Sequence, residues 1–344
     1  MSSDRRDFLK KIGLAGAASL APFSSKGAPA DEPTPAPAGN PKPVTVPRRK
    51  FGKHDLTVSC LCLGGHTLRT ASDEEAAKIV DAALECGIDF FDNAWDYHGG
   101  GAEELMGQLL RGRRDKVFLM TKVCSNHKGG GKKAAMAMLE DSLRRLRTDH
   151  LDLWQLHELV SLAQVETAYQ VDETLEALTE AKKQGKVRFI GFTGHANAAA
   201  HLAMLERQFP FDACLMPVSA VNFQKGPNFN LQGKDYSEQV LPVLVKQQIA
   251  ALAMKTMGGD GAPIRSGMMT AEEALRYALS QPVASVLTGV NQVGHLLANA
   301  RIAASFVPMT TAEMRALEDR FARHTGNELY AYYLGGHHRD GSRV

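Results

Sequence analysis

Short apolar runs of strand length alternate with longer amphipathic stretches along most of the chain. Val58–Leu63 is the first run, and it ends in Gly64-Gly65-His66. Ser72 has N-cap chemistry, and Glu75 three residues on predicts a capping box opening a helix to about Cys86. Strand Ile88–Asp92, helix Ala102–Leu110, strand Val117–Val123, helix Lys132–Leu146 and strand Leu151–Leu156 follow. A helix runs from about Val171 to Gln184 and is closed by Gly185. Then come strand Val187–Phe192, helix Ala196–Gln208, strand Ala213–Val218 and an irregular Gly/Asn-rich loop from Asn222 to Gly233. Helix Ser237–Lys246, strand Ile249–Met254, helix Ala271–Ser280, strand Ala284–Leu287 and helix His295–Ala304 complete eight strand–helix units. A last helix covers about Ala312 to His324.

Most of the strand runs are continuously apolar, as strands are when both faces are covered. Eight units joined at the short intervals of parallel crossovers predict a closed (β/α)8 TIM barrel rather than an open doubly wound sheet. No G-x-G-x-x-G follows any strand, which removes the main signal for a Rossmann domain.

The composition changes this picture little. With 344 residues, 44% hydrophobic and 23% charged, the chain has room for one large barrel and a large core. The net charge of +2 is uneven: residues 1–30 hold five basic and two acidic side chains, so the rest is one charge negative. A near-neutral body gives no electrostatic reason to expect a nucleic acid or an acidic membrane as partner. Five cysteines, Cys60, Cys62, Cys86, Cys124 and Cys214, sit mostly in apolar runs without a C-x-x-C pair. They predict buried thiols rather than a disulfide framework or zinc knuckle.

The N-terminus reads as an address rather than as fold. Arg5-Arg6 precedes a modest apolar run, Ile12 to Phe23, and then Ala28-Pro29-Ala30. This resembles a bacterial twin-arginine signal peptide over residues 1–30 with an A-x-A type cleavage site. The resemblance implies export to the periplasm, already folded, by the twin-arginine translocation machinery. The apolar run is too short for a membrane span of about 20 residues. Residues 31–47, rich in Pro and Ala, read as a linker. The barrel is expected over 48–324 and a C-terminal tail over 325–344.

In such a barrel the site lies where the strands end. His66 follows strand 1, Asp92 and Tyr97 follow strand 2, Lys122 ends strand 3, His157 ends strand 4, and Thr193-Gly194-His195 follows strand 5. Singly, each is an ordinary turn, core or solvated residue. Together with their surroundings they resemble the aldo-keto reductase family over roughly residues 48–305. The resemblance rests on Phe91-Asp92-Asn93-Ala94…Tyr97, Thr121-Lys122, Ser142-Leu143-Arg144-Arg145-Leu146, Asp152-Leu153-Trp154-Gln155-Leu156-His157 and Gly185-Lys186-Val187-Arg188-Phe189-Ile190-Gly191. It implies hydride transfer from a nicotinamide cofactor, NADP(H) or NAD(H), to an aldehyde or ketone. It further implies Tyr97 as general acid, Lys122 as the ammonium that favours phenolate, Asp92 as its partner and His157 as the residue that orients the carbonyl.

The same resemblance places the dinucleotide over the mouth of the barrel. Thr193-Gly194 stands where Ser-Asn is usual, so a hydroxyl is present but the amide is missing. Pro217-Val218 replaces the usual strand 6 Gln. After strand 7, Lys255 and Gly258 belong to a turn able to wrap a pyrophosphate. Gly289, Asn291 and Asn299 match the adenosine end, while His295 stands where an Arg is frequent. The basic residues that commonly hold a 2′-phosphate are absent, which leaves NADP and NAD both open.

Two other classes remain open from the residues alone. A metal-dependent hydrolase on the same barrel would use His66, Asp92, His157 and His195 as ligands, although strand 1 lacks an H-x-H pair. A barrel that binds the nucleotide as a redox sensor would need no turnover. In the tail, Tyr330, Tyr332 and Tyr333 are candidates for a pocket wall, and His337-His338 reads as a solvated run.

Overall fold

The computed structural model describes residues 44–124, 130–195, 197–221, 236–259 and 261–322. The expected signal peptide, residues 31–43 of the expected linker, the 222–233 loop and the 325–344 tail lie outside the described residues.

A short antiparallel hairpin comes first, β1 (Arg48–Lys50) with β2 (Thr57–Ser59). Eight parallel strands then close into a barrel: β3 (Leu61–Gly64), β4 (Phe90–Asp92), β5 (Phe118–Val123), β6 (Leu151–Leu156), β7 (Val187–Thr193), β8 (Ala213–Pro217), β9 (Ala250–Met254) and β10 (Ser285–Thr288), which pairs back onto β3. The expected (β/α)8 barrel is therefore the observed fold. Its side chains sort into two cores. Phe91, Leu119, Trp154, Leu156 and Ile190 point outward to the helices. Phe90, Phe118, Met120, Leu153, Phe189 and Leu252 fill the lumen. This is the alternation that strands impose, with both faces buried.

The hairpin shuts one end of the barrel. Phe51 packs its ring 5.1 Å from Phe118 and 5.2 Å from Phe189, against the first turns of β5 and β7. His54 Nε2 lies 2.8 Å from Asp212 Oδ1, just before β8. The Val58–Leu63 run is not one strand, because the chain turns at Ser59-Cys60. Ser59 Oγ accepts from the N–H groups of Asp89 and Phe90 and donates to Leu61 O, while Cys60 N–H donates to Pro47 O. Val46, read from sequence as linker, is buried and donates its N–H to Cys86 O at 2.9 Å.

The helices depart from expectation at identifiable places. Before α2 (Asp73–Glu85), Ser72 Oγ accepts from Glu75 N–H as expected, but the box is not closed. The Glu75 carboxylate instead accepts the N–H of Val293 at 2.8 Å, the first residue of a later helix. A helix's first N–H groups have no partner within it, so Glu75 caps the neighbour rather than its own. The helix expected from Val171 begins at Thr174 (α6, Thr174–Lys183), because Asp172 takes a left-handed φ of 60°. A separate α5 (Leu162–Ala168), N-capped by Ser161, precedes it. The helix expected from Ser237 to Lys246 opens as a π-turn over Tyr236–Val240 and becomes α-helical over Leu241–Gln247. The change falls next to Pro242, which has no N–H to donate. All five cysteines are buried and free. Among the described residues no helix is long and apolar enough to cross a membrane.

Candidate active site

Strand register assembles the candidate residues. Asp92, last in β4, pairs with Met120 of β5, and Lys122 lies two residues further on, facing the same side. Lys122 pairs in turn with Gln155 of β6, and His157 stands two residues beyond that. The stagger of a closed barrel thus carries an acid, an ammonium and an imidazole round one rim. They lie just above the apolar lumen, at the end away from Phe51.

Lys122 is the hub. Its Nζ donates to Asp92 Oδ1 at 2.6 Å, to Asn93 O at 2.7 Å and to Tyr97 Oη at 3.0 Å. It is 1% exposed and Asp92 only 2%, so the charge lives on these contacts rather than on water. Removing either partner of so buried a pair would strand the other charge. Tyr97 is brought in by a short turn after β4. Trp95 N–H donates to Lys122 O, and Asn93 Nδ2 donates to Ala102 O in the following helix, α3 (Gly101–Leu109). His66 packs edge-on to the Tyr97 ring at 5.1 Å, and His157 stands 6.1 Å away on the same ring.

Two residues that the sequence reading did not assign a task hold this turn from outside. Arg145, on α4 (Gly131–Leu146), donates to Trp95 O at 2.8 Å, lies over the Trp95 ring at 5.2 Å and pairs with Glu103 at 3.3 Å. Glu103 is fully buried and accepts a hydrogen bond from Thr121 Oγ1, the neighbour of Lys122, at 2.6 Å. Burial pushes the Glu103 carboxyl up from its ordinary range, with Thr121, Ser142 and Arg145 acting in the opposite direction. Two more such residues, Cys124 and Asp96, flank His157. Cys124 Sγ is 3.3 Å from His157 Nδ1, and Asp96 Oδ1 is 3.9 Å from the same nitrogen. Burial, and next the Asp96 charge, pushes the Cys124 thiol well above its ordinary range. Glu103, Asp96 and Cys124 lie close in sequence to Tyr97 or Lys122, and Arg145 lies within Ser142-Leu143-Arg144-Arg145-Leu146, which is the signal that points to them.

A cavity of about 370 Å³ opens at this rim, walled by Asp92, Tyr97 and His66 on one side and by Lys255, Thr256 and Gly289 on the other. Of the residues expected to hold a dinucleotide, Lys255 and Gly289 therefore share a wall with Tyr97. Gly258, Thr193, Gly194, Asn291 and Asn299 do not wall it. Gly258 takes a φ of +78°, and its N–H is committed to Lys255 O at 2.9 Å, which closes the turn. Asn291 Nδ2 donates to Thr70 Oγ1, and Asn299 is buried on the helix Val293–Ala304. Thr193 is buried and accepts the N–H of Leu159 on its backbone O at 3.0 Å. A Cβ at Gly194 would press on Leu159 O and stand 3.0 Å from the His201 ring. As folded, the chain has no room for the usual amide side chain at 194. The cavity's mix of one ammonium, hydroxyls and close-approaching backbone beside a phenol fits an anionic dinucleotide at the Lys255 side.

The four ligands of the hydrolase reading are not gathered into one donor set. Asp92 is taken by Lys122, and His195 Nε2 pairs with Glu158 at 2.8 Å. Among the described residues the one group of metal-type donors that converges is Asp96, Cys124 and His157.

The model of the Aldo/keto reductase family matches residues 60–263. The chain is 27% identical over 333 residues to the uncharacterized oxidoreductase YqkF of Bacillus subtilis, covering 82% of this chain and 98% of that protein. It is 40% identical over 135 residues to the methylglyoxal reductase YeaE of Escherichia coli, covering 38% of this chain and 44% of that one. Among solved structures, the holo form of aldo-keto reductase AKR11C1 from Bacillus halodurans superposes with a TM-score of 0.65 at 26% identity, over 80% of this chain and 96% of that one.

Proposed function

Because the chain belongs to the aldo/keto reductase family of oxidoreductases, we propose that it reduces a small aldehyde or ketone, with Tyr97 as general acid. The observation that carries this reading is one buried ammonium, Lys122 Nζ, bonded at once to Asp92 and to the Tyr97 phenol. When bound, a nicotinamide dinucleotide supplies the hydride. Tyr97 holds a proton at Oη for the carbonyl oxygen, and a phenol alone is too weak an acid to release it readily near neutral pH. Lys122 stabilises the phenolate as it forms, in a site from which water is largely excluded. Asp92 pairs with the ammonium and holds it in place. His157, on the neighbouring strand end, orients the carbonyl and binds its developing charge.

For the cofactor, Lys255 and Gly258 would hold the pyrophosphate side, Thr193 and Gly194 the carboxamide side, and Gly289, Asn291 and Asn299 the adenosine end. The cavity that joins Tyr97 to Lys255 and Gly289 supports the placement of these two residues. Methylglyoxal, the compound named for the Escherichia coli relative, is the first carbonyl to try. Purified protein should oxidise NADPH or NADH only when the carbonyl is added. Tyr97→Phe should lose that turnover while still binding nucleotide, and near wild-type turnover by the variant would refute the assignment.

Arg5-Arg6 and the apolar run behind it support a second part of the proposal. Residues 1–30 direct twin-arginine export to the periplasm, 31–47 form a linker whose end packs onto the barrel at Val46, 48–324 form the reductase and 325–344 a tail. A nucleotide bound in the cytosol stabilises the folded passenger by mass action before transport. Replacing both arginines with Lys and fractionating cells tests it: the expected result is retention in the cytoplasm, and unchanged periplasmic protein overturns the route.

A further inference from the structure

Outside the Lys122 hub, three donors of different chemistry converge beside His157. Cys124 lies just past the end of β5, His157 just past the end of β6, and Asp96 in the turn after β4. One ligand atom from each lies within 4.8 Å of the other two. The separations from His157 Nδ1 are 3.3 Å to Cys124 Sγ and 3.9 Å to Asp96 Oδ1. In a tetrahedral zinc shell, bond lengths near 2.0–2.3 Å place donors roughly 3.3–3.7 Å apart. The three atoms therefore need to move by less than about an ångström to share one ion.

We propose that Asp96, Cys124 and His157 form a binding site for a borderline-soft divalent cation of the zinc class.

Charge and ligand type both select that class. A thiolate and a carboxylate with a neutral imidazole balance two positive charges, so the loaded cluster is neutral, as a buried site requires. One sulfur, one nitrogen and one oxygen suit zinc or cobalt, whereas calcium and magnesium favour all-oxygen shells. Loading forms bonds from Sγ, Nδ1 and Oδ1 to the ion, and the Cys124 thiol proton leaves to solvent. Three protein ligands leave a fourth position for water. With Nδ1 engaged, the proton of the neutral imidazole sits on Nε2. Because His157 also belongs to the proposed carbonyl-orienting set, cation and carbonyl share a residue.

The test reads binding and needs no turnover, so it can fail while the reductase reading stands, and the reverse. Chelator-treated full-length protein is titrated with Co²⁺ and followed by absorption and by equilibrium dialysis. The expected result is one Co²⁺ held per chain with a thiolate-to-cobalt charge-transfer band, displaced by Zn²⁺. Cys124→Ser should abolish the band and weaken binding at least about a hundredfold. Asp96→Asn, at a less buried position, should keep the band but weaken binding. The tail His337-His338 carries no sulfur, so binding there gives no such band. Absence of the band in wild-type protein, or its persistence in Cys124→Ser, overturns the proposal.

Discussion

Lys122 Nζ stands 3.0 Å from Tyr97 Oη and 2.6 Å from Asp92 Oδ1, so one buried ammonium serves a carboxylate and a phenol together. The two services separate by mutation. Lys122→Met should lower kcat by a factor on the order of 10²–10⁴ and cost about 3–5 kcal/mol of stability, since Asp92 is left charged and unpaired. Adding Asp92→Asn removes the stranded charge. The double variant should regain most of the melting temperature and none of the turnover, and recovery of turnover would contradict the role given to Lys122.

The Arg145 contacts to Trp95 and Glu103 put a second lever on Tyr97. Arg145→Met keeps much of the packing over the Trp95 ring but releases the turn and leaves Glu103 buried without its cation. Stability should fall by about 3 kcal/mol, and kcat should fall more than nucleotide affinity does. Glu103→Gln, which removes the carboxylate instead, should be milder on both counts. Thermal melts and steady-state kinetics on the same preparations decide it.

Much of this site was legible in the sequence because its residues come from consecutive strand ends, where apolar runs stop at polar residues. Asp92, Lys122 and His157 were found that way, and register then placed them on one rim. The hairpin was not found. Arg48–Lys50 is polar and faces outward, so it has no apolar alternation to betray a strand. The Glu75 cap was misassigned for a different reason. A capping box and a cap on a neighbouring helix look identical in sequence, and only the approach of Val293 tells them apart. Arg145 lies inside Ser142-Leu143-Arg144-Arg145-Leu146, yet its partners are 42 and 50 residues away, a pairing that local pattern cannot state.

The stability of the fold should depend on His201. Its ring packs against Phe192 and Tyr236, and burial pushes its pKa down to about 4 from 6.5. Above pH 6.5 folded and unfolded chains both carry it neutral, and nothing is lost. Between 6.5 and about 4 the unfolded chain binds the proton more tightly, so stability falls as the pH drops, by about 3 kcal/mol at most. Denaturant melts of wild type and His201→Gln at pH 7.5 and 4.5 should differ in slope with pH. Parallel curves would show that His201 does not contribute.

Gly194 should resist restoration of the amide usual at its position. Gly194→Asn brings a Cβ against Leu159 O and the His201 ring, and the backbone must give way. A loss of roughly 1–3 kcal/mol is expected from overpacking, with no gain in nucleotide affinity. Tighter NADPH binding in a stable Gly194→Asn variant would show that the close approach relaxes easily.

Selection between the two dinucleotides should be weak. Gly289 and His295 offer no guanidinium or ammonium where a 2′-phosphate is commonly held, and an unmatched phosphate gains little beyond screened attraction. Fluorescence titration should find NADPH bound less than about a hundredfold tighter than NADH. A thousandfold preference would mean that another loop supplies the charge.

The Phe51 plug gives the molecule two unlike poles. The chain enters the described body at Val44–Val46, tied to Cys86 beside the plugged end, while Tyr97 opens at the other. The point where the described body begins therefore lies at the sealed pole, opposite the cavity beside Tyr97. A body anchored directly at Val44 would present the Tyr97 cavity away from its anchor, with the aromatic plug of Phe51, Phe118 and Phe189 between the two.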